Sequence, residues 1–407
     1  MPFDLSTEIP GQPSVPAASA ALPALPMAGL LAFAMTGFIA ILTETLPAGL
    51  LPQISQGLSI SQASAGLLVS AYALGSLLAA MPLTIATQSW RRRRVLLIAV
   101  VGFLLFNSLT TVAGTFALAL CARFMAGVAA GLAWGLLAGY ARRLVPPQLQ
   151  GKALAIAMVG TPIALSLGTP AGTWLGSVFG WRIAFGVMSG LALLLIPWIL
   201  LAVPDMPGQP AGKRLALIEV LRLRGVRPVL LVITIWMLGH NVLYTYVAPY
   251  LSANDMRGTV DIALLVFGLT ALLGIGAIGI AVDRWLRGLT LISLVGFAIA
   301  ALLLAYAGSF RPVVYAGVAL WGLCFGGAAT LLQTAAADAA GAHVDVVQAM
   351  VTTAWNLAIA AGGLIGGFAL QRLGANAEPW LMLVLSLLAL ALVGWASSGF
   401  RPGHRAR

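Results

Sequence analysis

The chain has 407 residues, of which 60% are hydrophobic and 8% charged, with 22 Lys/Arg against 11 Asp/Glu and a formal net charge of +11. A soluble domain carries about 25% charged residues, so this composition excludes a soluble enzyme, a disordered protein and a nucleic-acid binder, and points to a chain whose solvent is lipid. The two cysteines, Cys121 and Cys324, and the three histidines lie too far apart to read as a disulfide or metal set. No metal and no cofactor is expected.

Residues 1–26 are Pro/Ala-rich, lack the basic n-region of a signal peptide and read as a disordered cytoplasmic tail. Beyond them come apolar runs of about 20 residues, the length that crosses a bilayer as a helix. The runs lie at about 27–50, 63–86, 94–113, 115–140, 151–179, 182–203, 227–251, 261–282, 288–308, 311–336, 346–370 and 379–399. The spacing predicts an all-α integral membrane protein of twelve spans in two six-helix bundles, 27–203 and 227–400. A basic, Pro-containing linker over 204–226 joins them, and a basic tail over 401–407 ends the chain.

Taken in chain order, span 1 carries Glu44, the one carboxylate clearly inside a span. A carboxyl in apolar surroundings can be neutral near physiological pH, which suits binding and releasing a proton or pairing with Arg123. The alternative is a Glu at the outer helix end, facing water. The loop after span 2 holds Gln88 and the basic run 91–94 that includes Arg92. Span 3 holds Asn107. Arg123 in span 4 must face the bundle interior, water or an anion, because a guanidinium in the bilayer costs about 3 kcal/mol or more. The alternative is a side chain that snorkels to the outer headgroups. In span 5, Pro170 removes a backbone donor and bends the helix, while Gly168, Gly172 and Gly176 make a smooth stripe at i+4 spacing.

The second half brings His240, Asn241 and Tyr244 in span 7, Gln333 in span 10, and Trp355 and Asn356 in span 11. Amides, phenols and aromatic rings of this kind can line a cavity for a polar substrate or tie helices together. The loop after span 8 reads Gly279-Ile-Ala-Val-Asp283-Arg284-Trp-Leu-Arg287. There Gly279 lets helix ends approach, and Asp283 can cap a helix or pair with an arginine.

Charge placement orients the chain. With both termini inside, the cytoplasmic segments hold Arg91 to Arg94, Arg142, Arg143, Lys152, Lys213, Arg214, Arg222, Arg224, Arg227, Arg284, Arg287, Arg401, Arg405 and Arg407, whereas the outer loops hold only Arg182, Arg257, Arg311 and Arg372. This is the positive-inside pattern, with anionic inner-leaflet lipid as counter-charge. An internal repeat accompanies it: Gly168, Gly172 and Gly180 recur as Gly362, Gly366 and Gly374 at a constant offset. Two halves of six spans fit a rocking transporter with its site between them.

The 279–287 segment resembles the GxxxDRxxR loop signature of the major facilitator superfamily. The corresponding N-half loop departs from it, with Thr84 for Gly and Gln88 for Asp, so it lacks an anion. Arg123-Phe-Met-Ala-Gly127 resembles the family's RxxxG signature in span 4. Residues 160–176 resemble the Gly/Pro signature of its drug/proton antiporter branch. Thr43-Glu44 followed by Gly49-Leu-Leu-Pro52 resembles span 1 of arabinose/sugar-efflux and chloramphenicol-resistance permeases. The resemblance covers about 27–400 and implies alternating access around a central cavity. It implies a monomeric bacterial inner-membrane carrier that exports a small organic molecule (drug, sugar or related metabolite) against protons, with Glu44 and Arg123 as the coupling pair. An importer or uniporter of the same fold and a non-transporting sensor are the alternatives. No GxxxxGK[ST] is present, so no ATP-driven step is encoded.

Overall fold

The computed structural model describes residues 25–208, 220–223, 225–340, 343–396 and 399–400. Most of the 1–26 tail, the middle of the linker with Lys213, Arg214 and Arg224, and the 401–407 tail fall outside the described residues. Every regular element among the described residues is helical.

Ten of the apolar runs appear as separate helical units: Met27–Gly49, Gln62–Ala86, Arg92–Val112, Phe116–Arg143, Pro147–Phe179, Trp181–Ala202, Val226–Thr245, Arg311–Ala340, Val346–Leu373 and Ala375–Trp395. The runs expected as spans 8 and 9 are one continuous stretch, Val260–Tyr306, of 47 residues. A straight helix of that length would measure about 70 Å, more than twice the ~30 Å hydrocarbon core. The chain instead breaks at Trp285, whose φ of −129° and ψ of 29° are not helical.

Contacts with span 10 show that the chain reverses there. Gly322 meets Phe267 and Gly326 meets Ala271, so span 8 runs parallel to span 10. Gly296 meets Cys324 and Gly317 meets Leu304, so span 9 runs antiparallel to it. Two crossings are therefore joined without a loop, and the helix count falls below the number of crossings.

The repeat is visible in packing. In the first half Gly127 lies against Tyr72 and Gly131 against Ser76; in the second, Gly322 lies against Phe267 and Gly326 against Ala271. Each residue is separated from its counterpart by the same 195 positions. Gly180 and Gly374 end spans 5 and 11 at φ of 96° and 83°, a conformation that side chains rarely adopt.

At Gly127 a Cβ would stand 1.9 Å from the Tyr72 carbonyl oxygen. Gly127→Ala is expected to push spans 2 and 4 apart at a cost of about 1–3 kcal/mol, read as a lowered melting temperature in detergent. An unchanged melting curve would contradict the packing.

The two largest hydrophobic cores divide by halves. One is built from residues of spans 1, 2, 3, 4, 5 and 6, the other almost wholly from residues beyond 220, with Ala48 of span 1 joining it. The halves meet at the end away from the Arg-rich loops. There Tyr246 is fully buried; its hydroxyl donates to the Gly363 carbonyl at 2.6 Å and lies 3.3 Å from the Ala63 carbonyl across the interface. Gln371 reaches Ser61 at 3.5 Å. Val69 and Ala73 of span 2 pack on Ile359, Ala360 and Trp355 of span 11. Ser166 touches Gly268.

Candidate functional site

Span 1 holds the site because three other spans grip it around Glu44. Asn107 of span 3 donates to Thr43 at 3.0 Å. Thr45 and Thr169 of span 5 share a hydrogen bond of 2.7 Å. Tyr72 of span 2 donates to the Ala40 carbonyl at 2.7 Å. Glu44 itself is half-buried. It shares a helix face with Ala48 at i+4, and Ala48 packs into the core of the other half. The carboxyl therefore points toward the interface of the halves.

Arg123 is fully buried rather than snorkelling. Its guanidinium lies 4.8 Å from the Tyr72 ring and 5.6 Å from that of Phe185, a cation–π setting, and its Nε donates to the Leu68 carbonyl at 3.4 Å. Both terminal nitrogens lack hydrogen-bond partners. Glu44 is its charged neighbour, yet the two are not in ion-pair contact, in contrast to Arg91 and Asp205. The arrangement leaves a buried cation with free donors beside an acid that can approach or leave it.

Span 5 is shaped by Pro170, which cannot donate to the Ser166 carbonyl. The helix widens into a π-type turn over Ala164–Gly168, the form that local insertions take near functional sites. Gly168, Gly172 and Gly176 face Phe38, Leu46 and Leu50 of span 1, so the stripe packs on the helix that bears Glu44.

The remaining candidates divide. His240 accepts from Trp321 Nε1 at 3.1 Å and stacks on Phe325 at 3.6 Å. With Tyr244 and Phe267 it forms an aromatic box in the second half. The Tyr244 hydroxyl is buried beside Thr45 and Thr169. Asn241 and Asn356 donate to the Met237 and Thr352 carbonyls of their own helices. Asn107 lies between spans 1 and 3, where it fixes Thr43. Gln333 is exposed beside Gln348, and Trp355 sits in the contact between the halves.

The two loops differ from expectation. A Cβ at Gly279 would meet nothing within 4 Å, so that glycine does not serve a close approach; the tight contacts are at Gly274 against Leu323 and Gly327 against Ile278. Asp283 and Arg284 are exposed. Arg287 donates to the Gly394 carbonyl at 2.8 Å and so caps the end of span 12.

In the N-half loop, Arg92 donates to the Gln88 carbonyl. The anion missing at Gln88 comes from the start of the linker. Asp205 pairs with Arg91 at 2.5 Å and accepts from the Arg93 N–H at 3.3 Å. Tyr140 and Arg143 hold the Pro204 and Pro207 carbonyls at 2.5 and 2.9 Å. The ion pair is exposed on the Arg91 side, so Asp205→Asn is expected to cost about 1 kcal/mol or less. Its melting temperature should stay near wild type while transport turnover falls; a large loss of stability would show that the pair is structural.

Sequence reasoning missed three residues here: Tyr72, which stands between Arg123 and span 1; Asp205, which lies in the linker; and Glu378, which starts the last span and is fully buried. For Glu378 the available signal is the phrase Glu378-Pro379, an acidic first turn with proline, which marks a helix start.

Twelve crossings among the described residues, in two repeated halves that meet at one end, with a guanidinium buried in the first half beside an acid, define a multi-pass membrane transporter. The model of the Major Facilitator Superfamily matches residues 33–278 and 257–405, and the chain belongs to that family. It is 31% identical over 364 residues to the purine ribonucleoside efflux pump NepI of Escherichia coli K12, covering 87% of this chain and 90% of that one. Among solved structures, the nucleoside transporter NupG superposes with a TM-score of 0.72 at 14% identity, covering 91% of this chain and 100% of that one. An inward-facing bacterial homologue of the lysosomal transporter Spinster superposes with a TM-score of 0.68 at 18% identity, over 93% and 98%. These two likenesses concern the fold.

Proposed function

We propose that the chain is a proton-coupled exporter of a small neutral organic molecule, with purine ribonucleosides as the first candidates. The Arg-rich end faces the cytoplasm and the closed end faces out. The observation that carries the coupling is Glu44 at the interface of the halves beside Arg123, whose terminal nitrogens have no partner. A proton on Glu44 releases it from Arg123; its loss returns the carboxylate to the guanidinium. Each state favours a different relation between span 1 and its neighbours, which is what coupling requires.

The relative of 31% identity supports the substrate class. So does the aromatic box, in which His240 stacks on both Tyr244 and Phe325 beside the Thr45–Thr169 pair, because purine recognition needs stacking and a few directed polar groups. One Glu and one Arg in the site favour a cargo without net charge.

The test is proton release from acid-loaded everted membrane vesicles on adding inosine, adenosine, guanosine, a pentose, a phenicol or a lipophilic cation. A signal with purine ribonucleosides supports the proposal in full. A signal only with another compound reassigns the cargo. Uptake of labelled inosine without proton release overturns the coupling.

A further inference from the structure

Glu378 is the first residue of the last span and is 0% exposed, with no hydrogen-bond partner for either carboxylate oxygen. Nothing in the coupling scheme above uses it. Its place is defined by the packing of spans 7 and 12, which run antiparallel. Gly239 of span 7 lies against Met382 and Leu385. Two turns further along span 7, toward the closed end, the facing position on span 12 is at Glu378 and the span 7 residue is Tyr246. Tyr246 is its ionisable neighbour and is the side chain through which the halves join, with its hydroxyl on Gly363 and Ala63. Glu378 thus stands directly behind the closure.

No charge compensates it. The other titratable or charged side chains of the elements packed at this end are Tyr250, bonded to the Leu304 carbonyl; Tyr306, against Trp380; Arg372, over Phe368; Asp255 and Arg311, which contact each other in the loops; Tyr315, one turn into span 10; and Arg257 and Asp261, which line a cleft against Gly49 and Gln62. None forms an ion pair with Glu378. An enclosed anion with neither counter-charge nor hydrogen bond is the least favourable state of a carboxyl, whereas the neutral acid carries no such penalty and water removes it from the anion.

We propose that Glu378 is a second proton-binding carboxyl of this transporter, taking a proton from the outer solution when the halves part at Tyr246 and keeping it while they are closed. One O–H bond forms on the carboxylate from an external hydronium ion, and no other bond changes. By linkage, whatever binds the closed state better favours it, so external protons favour closure and help to return the carrier to its cytoplasm-facing state. The word external rests on the topology proposed above. The readout is gate position rather than transport, so failure of this inference and failure of the exporter reading are distinguishable.

The experiment uses the full chain in liposomes with Cys121→Ala and Cys324→Ala, and spin labels at Ser61→Cys and Gln371→Cys, the exposed pair that spans the closure. Distances are measured by electron double resonance in mildly alkaline and mildly acidic buffer. In an otherwise wild-type protein the short-distance fraction is expected to rise severalfold on acidification. The shift should persist with Glu44→Gln. It should fall severalfold with Glu378→Gln and with Glu378→Met, both remaining mainly closed, and the remainder should go when Glu44→Gln is added. A Glu378→Gln protein that keeps the full shift overturns the proposal, as does a shift abolished by Glu44→Gln alone. Should neither Glu378 variant fold, the Glu44→Gln protein decides alone: no shift there overturns the assignment, and a retained shift supports it.

Discussion

Glu44→Gln is expected to abolish net proton-driven export while leaving the protein folded and in the membrane. The amide matches the carboxyl in shape and keeps the hydrogen-bonded frame of Thr43–Asn107 and Thr45–Thr169 on either side of it. What it removes is the ability to bind and release a proton, and loss of a positioned proton-transfer group lowers rates by about 100-fold or more. Binding and exchange do not need that proton. Counterflow of labelled nucleoside against unlabelled nucleoside should therefore survive in the variant, and it should no longer respond to a pH gradient. Net export at the wild-type rate with wild-type gradient dependence would move the coupling role to another residue. Loss of counterflow as well would show that Glu44 holds the cargo and not only the proton.

Arg123→Leu is expected to separate stability from activity. The wild-type guanidinium is fully buried with two unpartnered nitrogens. Replacing a buried, poorly compensated charge with an apolar side chain is often neutral or stabilising by about 1–4 kcal/mol. The leucine also packs against Tyr72 and Phe185, which already flank the site. The melting temperature should hold or rise. Transport should drop by about 100-fold or more, because the ionised state of Glu44 loses its only nearby cation and that loss is a multi-kcal/mol effect. A variant that is both inactive and strongly destabilised would mean that the cation–π setting is a fold element. A fully active variant would mean that Glu44 does not need the arginine.

The elements of the fold were largely legible. Runs of apolar residues of bilayer length mark spans whatever their neighbours are, because lipid imposes the same demand on each helix separately. Spans 8 and 9 show the limit of that reading. The break at Trp285 falls in the expected loop after span 8, yet no loop forms there, and the opposite packing of 267–274 and 296–304 on span 10 shows the reversal. The glycine offset between spans 5 and 11 pointed to the repeat, whose Gly168 and Gly172 pack on span 1 and Gly362 and Gly366 on span 7, and spans 2 and 4 with spans 8 and 10 repeat the same way.

The site was legible one residue at a time. Glu44 and Arg123 stand out because charge is rare in an apolar span, and that rarity needs no structure to be seen. Which way they face was not readable. A helix has a full circle of directions, and the sequence of span 1 is apolar on nearly all of them. The gripping bonds from Asn107, Thr169 and Tyr72 reach across 64, 124 and 32 positions from the span 1 residues they hold. Gly279 was assigned a close approach that falls instead at Gly274 and Gly327. The anion missing at Gln88 is supplied by Asp205, over a hundred residues away in sequence. Glu378 reads as a surface acid at a helix start and is fully buried next to Tyr246, where the halves close.

By itself the sequence determined that this is a membrane transporter of repeated helices, because apolar length, charge rarity and charge asymmetry are local and additive properties. Only the tertiary structure decided which polar groups meet, which end is shut and which acids lack a partner. Those facts depend on the rotation and register of each helix against its neighbours, and side-chain packing fixes both across distances along the chain that no local pattern encodes.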